Sequence, residues 1–335
     1  MAVTGMNMYT LADYDSLTAG AARVHPRIVH TMQDACPLLD QIPFAVCNNG
    51  RSNMTKVIDA YPEGQLRGFN EGVESEKATS HVTEDPTCMV STYSAIDAEI
   101  LKQNNFSAEF RATNDAAFHR GLAHAMATRV FQGSRKKDPR GINGLQARYN
   151  KISGALEDYI INAGGTAGTN NLCDIWVVNW GLDKAHGIFP EGGTAGLSVT
   201  DRGEQDVYDA AGKRYRGFVT DYQWNFGLAV EDPSQIIRIA NIDNSVLKTT
   251  PTSSAYDLVT LITEAIERLP DGPGPQCAIY MNPSVRFALR MQILAKANVQ
   301  LTFETVAGRK VLVHDGVPVH KVPTEVLGLY STAVA

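Results

Sequence analysis

Between Ser107 and Gln132 apolar residues return every three or four positions. Phe110, Ala117, Phe118, Gly121, Leu122, Ala125, Met126 and Val130 form one stripe, which predicts an amphipathic helix. Asn105 or Ser107 can cap its start, and Gly133 supplies a natural stop. At a rise of 1.5 Å per residue the helix would be roughly 40 Å long. Upstream the pattern changes to partial alternation rich in Val, Ile, Thr and Tyr. The runs AVCNNGRSNMTKVIDAYP from Ala45 and TCMVSTYSAIDAEI from Thr87 predict two long antiparallel strands that pair with each other. The segment between them is polar, with Gly64, Gly68 and Gly72, and its charges from Glu71 to Asp85 are five acids against Lys77. Such a segment cannot build a core, so a projecting hairpin tip is expected.

Residues 1–44 carry Pro26, Pro37 and Pro43 and no sustained period outside Arg27–Cys36, the pattern of an arm that gains order against something else. Downstream, Leu172–Trp180 is dense in Ile, Val and Trp and predicts a buried strand, and Arg216–Val230 and Gln235–Ile242 add further sheet. Helices are expected over Ser253–Leu269, capped by Ser253 or Ser254, and over Pro283–Ala297, with the short strand Gln276–Met281 between them. Thr302–Val322 predicts two strands around a turn at His314–Gly316. The fold class is α+β, with neither internal repeats nor regular βαβ alternation.

Composition narrows the function. The 335 residues are 44% hydrophobic and 20% charged, with 28 Gly and 15 Pro, which excludes disordered, collagenous and coiled-coil classes. A net charge of −6 argues against a large surface for phosphate backbones. No apolar run approaches the roughly 20 residues of a membrane span, so no membrane role is expected. The first residues lack a basic stretch followed by an apolar block, which points to maturation in a reducing cytoplasm. Five cysteines, odd in number and without C-x-x-C, are expected as buried free thiols.

Catalytic signatures do not emerge. The sequence has no G-x-S-x-G elbow, phosphate loop, H-E-x-x-H or G-x-G-x-x-G after a strand, and no cofactor is expected. Gly272-Pro273-Gly274-Pro275 reads as a stiff connection. His119 and His124, five apart on the long helix, point to different faces, and His314 with His320 and Asp315 lacks a further ligand for a metal. Two charged groups remain. Arg135, Lys136, Lys137 and Arg140 form the one local basic run, read as a solvated loop or as a salt-bridge partner of another subunit, with transient contact to nucleic acid as the alternative. Glu71, Glu74, Glu76, Lys77, Glu84 and Asp85 occupy the expected projection and are candidates for an electrostatic contact with a neighbouring chain.

The order of elements carries the resemblance: extended arm, long hairpin with a polar tip, long helix, α/β region, closing strands. This order resembles the major capsid proteins of tailed bacteriophages with the Hong Kong 97-type fold. The segments DAAFHRGLAHAMATRVFQGS, PRGINGLQARYN, WGLDKAHGIFPEGGTAGL and YQWNFGLAVEDP are similar to those of short-tailed phages of the epsilon 15 type. The resemblance implies an N-terminal arm over 1–44, an extended loop over 45–97, a peripheral domain with its spine helix over 98–150, an axial domain over 151–300, and closing strands from axial to peripheral domain over 301–335. It further implies a self-assembling subunit of pentamers and hexamers, in an icosahedral virion shell that encloses double-stranded DNA without reading its sequence. Assembly would take place in the host cytoplasm. A separate scaffolding protein is expected because the arm begins almost at Met1, with a portal and a decorating protein as further partners. Some members of the fold crosslink a loop lysine to an asparagine; Lys56 and Lys77 lie in the matching loop, without a recognisable partner environment. Two other classes would fit the chain less well: a cytoplasmic enzyme with a mobile hairpin lid, and a decorating protein of the virion.

Overall fold

A computed structural model describes residues 38, 41–60, 62–103, 108–154, 156–166, 168, 171–193, 196–209, 211–250, 256–295, 301–306 and 309–335. The expected arm therefore lies almost wholly outside the described residues. In chain order the elements are β1 (Phe44–Val46), β2 (Ser52–Ala60), β3 (Thr79–Pro86), β4 (Cys88–Asp97), α1 (Ala98–Gln103), α2 (Ala108–Gln132), α3 (Leu145–Arg148), β5 (Ile160–Asn162), β6 (Leu172–Asn179), β7 (Ala185–Phe189), β8 (Leu197–Tyr208), β9 (Arg214–Val230), β10 (Ile236–Asp243), α4 (Asn244–Thr249), α5 (Leu258–Glu267), β11 (Cys277–Met281), α6 (Pro283–Ala295), β12 (Leu301–Val306), β13 (Arg309–His314), β14 (Val317–Lys321) and α7 (Thr324–Leu327). The described residues fall into two units, the smaller built from Met89–Met126 and Gly196–Asn225, the larger from the rest.

In the larger unit β6 is buried along all eight residues because both of its faces are covered. It lies inside a seven-stranded sheet of order β12-β13-β14-β11-β6-β10-β5, antiparallel to β10 and β11. Alternation sends Ile175 and Val177 to one face, where Ile262 and Ile266 of α5 and Val285 and Leu289 of α6 complete an apolar cluster. Trp176 faces the other way, against Phe131 at the end of α2 and Tyr149. That second face also holds an ion pair, Arg238 to Asp174 at 2.7 Å, both nearly inaccessible. Arg238 lies 5.2 Å from the Trp176 ring centre, and the Tyr330 hydroxyl donates to Asp174 at 2.6 Å. Each charge is thereby paired and hydrogen-bonded, the condition for keeping it in an apolar layer.

The closing region differs from expectation. It contributes three strands, not two, and β14 joins the main sheet parallel to β11. The cap of α5 is Asp257, whose carboxylate accepts from Thr260, while Ser253 and Ser254 lie outside the described residues. The start of α5 is also held by Gln292 of α6, which accepts from the Leu258 amide and donates to the Tyr256 carbonyl.

In the smaller unit β8 and β9 form a long hairpin in register from Leu197↔Trp224 to Tyr208↔Arg214, laced by the pairs Arg216–Glu204, Arg214–Asp206 and Arg202–Asp221. β9 also pairs with β4 on its other side. Tyr222 is fully buried, stacks on Phe118 of α2 at 5.0 Å and donates its hydroxyl to Asp115. The apolar stripe of the long helix is confirmed at Leu122, Met126 and Val130, which are buried, as are Ala127 and Phe131. Gly121, expected on the stripe, is exposed.

The strand partners also need correction. β2 does not pair with β4; it pairs with β3, in register from Ser52↔Pro86 to Ala60↔Thr79, as a two-stranded ribbon of its own. The stretch read as the downstream half of a polar tip is therefore a strand. It carries little hydrophobic signal because its only fully buried residue is Asp85.

Candidate functional site

The ribbon β2–β3 and the loop that joins its strands, residues 62–78, are built from side chains that find little burial in their own chain. Every residue from 62 to 82 is exposed. The loop is nevertheless shaped. The Glu76 carboxylate accepts from the Gly64 amide and from the Gln65 side chain, both at 3.1 Å. Gln65 in turn accepts from the Glu74 amide at 3.3 Å, and Glu71 accepts from the Gly68 amide at 2.9 Å. Asn70 at φ 63° and Gly64 at φ 73° provide the reversals.

At the root of the ribbon the side chains turn inward. Asp85 is buried; one oxygen accepts from Arg148 of α3 and the other from the Val230 amide at 3.3 Å. Arg148 also donates to the carbonyls of Leu228 and Asn143, each at 3.1 Å. On the facing strand buried Asn53 donates to Glu231 at 3.4 Å.

The basic run forms the loop after α2. Gly133 ends that helix and its amide bonds to Arg129 O at 2.9 Å, an approach so close that a Cβ would stand 2.3 Å from that oxygen. Arg135, Lys136, Lys137 and Arg140 are all exposed. Arg140 pairs with Asp138 at 3.1 Å and holds its carboxyl below the ordinary range.

The sequence candidates thus separate. Glu71, Glu74, Glu76 and Lys77 lie in the loop and Glu84 is exposed on β3, as expected of surface groups. Asp85 differs from them, being buried and bonded within its own chain. Arg148, its partner, and the fully exposed Leu66 and Phe69 escaped a search for charge clusters. Large apolar residues in a mostly polar loop were the signal for the second pair.

The histidines do not converge. His314 lies 3.0 Å from Thr263 and 3.5 Å from Asp315, whereas His320 stacks on Tyr280 beside Gln41. His119 meets Tyr222 edge-on. Among the described residues no three His, Cys, Asp or Glu side chains are grouped to hold a metal.

A family model described as major capsid protein GP7 matches residues 21–325. The chain belongs to that family. Its fold is similar to that of the bacteriophage epsilon15 structure, with a TM-score of 0.76 and 23% identity over 100% of this chain and 99% of that one. A bacteriophage JBD30 capsid protein follows at a TM-score of 0.51 and 10% identity, over 94% of this chain and 98% of that one. No curated protein matches the sequence. The major capsid protein is accordingly a structural, non-enzymatic subunit with the Hong Kong 97-type fold; copies of it assemble into a virion shell.

Proposed function

We propose that copies of the capsid protein meet through the ribbon loop 62–78 and the basic loop 135–140, within pentamers and hexamers that close around double-stranded DNA. The observation that carries this reading is the contrast along one ribbon: the stretch from 62 to 82 is exposed throughout, while Asp85 and Asn53 at its root are buried and bonded. A ribbon so anchored and so bare at its end gains contacts only from another molecule. Glu71, Glu74, Glu76 and Glu84 on one surface and Arg135, Lys136 and Lys137 on the other supply opposite charge for orientation. The net charge of −6 suits a container that holds DNA without binding its sequence. Assembly in the host cytoplasm with a scaffolding protein, a portal and a decorating protein completes the reading.

The test replaces residues 62–78 by a short glycine-containing turn. Because the removed loop buries nothing, the subunit should keep its circular dichroism spectrum and melting temperature but form no stable shells. Shells at wild-type yield from this variant would refute the reading.

A further inference from the structure

The loop 62–78 shows a division of labour. Its acids do not all face outward as free charges: Glu71 and Glu76 are occupied by amides of the loop itself, at 2.9 and 3.1 Å. Large apolar side chains stand among them in water. Leu66 and Phe69 are each fully exposed, and Val73 is half-exposed. An apolar side chain left in water forfeits the gain that burial would bring. Here two of them stand three residues apart between Gly64 and Asn70, both in left-handed backbone. The loop's conformation is thus imposed by polar groups, and what it displays is a leucine and a phenylalanine.

We infer that Leu66 and Phe69 form an apolar plug that inserts into a second copy of this chain, with Glu71 and Glu76 serving to hold the loop in the shape that presents it. The inference rests on the reading of the loop as an assembly surface and names the residues that carry its affinity. The occupant is a second copy for two reasons: the family assembles from copies of itself, and the loop's charge is complementary to an exposed surface of the same chain. Around the plug lie Glu63, Glu71, Glu74 and Glu76 against Arg67 and Lys77. The loop after α2 exposes Arg135, Lys136 and Lys137. A rim of charge around an apolar centre sets orientation, while the desolvated centre supplies the affinity.

The test uses the full chain and scores particles recovered from cells that express each variant. L66S/F69S should leave the unassembled subunit's melting temperature unchanged, since neither side chain is buried there, and should lower shell yield about tenfold or more. Wild-type shells, once formed, should survive 1 M salt, where the Debye length is about 3 Å and charge pairs are screened. E71Q/E76Q should assemble better than L66S/F69S, because a glutamine oxygen still accepts the loop's amide bonds. Wild-type yield from L66S/F69S would overturn the plug; if the loop deletion described above still abolishes shells, the assembly reading stands without it, and if the deletion also assembles, both fall. A photo-crosslinker at position 69 in assembled shells should give a product at twice the 36.4 kDa of the subunit. Crosslinking to a different protein instead would overturn the choice of occupant.

Discussion

Asp85 and Arg148 close an ion pair at the root of the ribbon, with side chains only 3% and 17% exposed. Asp85 is also bonded to the Val230 amide and Arg148 to the Leu228 carbonyl, so the root of β3 is tied to the end of β9 by two side chains that serve each other. The direction in which the ribbon leaves depends on that tie.

Breaking one half should therefore cost more than removing both. Asp85→Asn or Arg148→Met each strands a buried charge or donor and should lower subunit stability by about 3–5 kcal/mol. The double substitution should recover part of that loss. Urea denaturation of the three variants measures the coupling; additive effects would mean that the residues act independently.

The long helix α2 offers a second test. Leu122 is 5% exposed on the buried stripe of α2. Leu122→Asp places an unpaired carboxylate there and should cost several kcal/mol, a large share of a typical 5–15 kcal/mol stability. Normal yield and heat resistance of particles from this variant would contradict the packing described.

Thiol chemistry gives the third. Cys47, Cys88, Cys173 and Cys277 are free and buried. Burial pushes Cys88 and Cys277 up to about 11 and raises Cys47 and Cys173 as well, so the reactive thiolate is scarce at neutral pH. Cys36 lies outside the described residues; in native subunits the other four should react slowly with a thiol reagent, and in denaturant rapidly. Boiling shells in detergent without reductant should release one species near 36.4 kDa. A ladder of multiples would demonstrate covalent joints.

Acid should weaken the larger unit through His320. Desolvation, with Arg286 nearby, lowers its pKa from 6.5 to about 4; the ring is stacked on Tyr280 and touches Gln41. The folded chain therefore holds a neutral imidazole where the unfolded chain takes up a proton. Stability is complete above about pH 6.5 and falls toward pH 4, by at most about 1.4 kcal/mol per pH unit from this residue. His186 and His314, also lowered by burial, act in the same direction. His320→Gln should flatten the stability profile between pH 6.5 and 4 relative to wild type. An unchanged slope would assign the acid sensitivity elsewhere.

How far the sequence could be read depended on burial. α2 and β6 were legible because their apolar positions repeat with the helix period or run unbroken, and Leu122, Met126 and Ile175 are buried as that pattern implies. β3 was illegible because a strand with seven of eight residues wholly or partly exposed has no hydrophobic alternation to read. The partner of β4 was illegible for another reason: alternation identifies a strand, but β9 begins over a hundred residues further on. The buried pair Arg238–Asp174 was hidden in runs that otherwise read as pure core. At the loop, charge made Glu71 and Glu76 legible as surface groups, but not the bonds by which their carboxylates also shape the loop.

The ribbon has a mechanical consequence. Among the described residues β2 and β3 pair only with each other, and a sheet of two strands twists and coils more readily than a wider one. Bending it strains neither the seven-stranded sheet nor its helices, because those share no strand with it. The subunit thus carries a compliant lever on a stiff base. On the proposed reading of the ribbon as an assembly surface, copies that meet their neighbours at different angles can absorb the difference in its curvature.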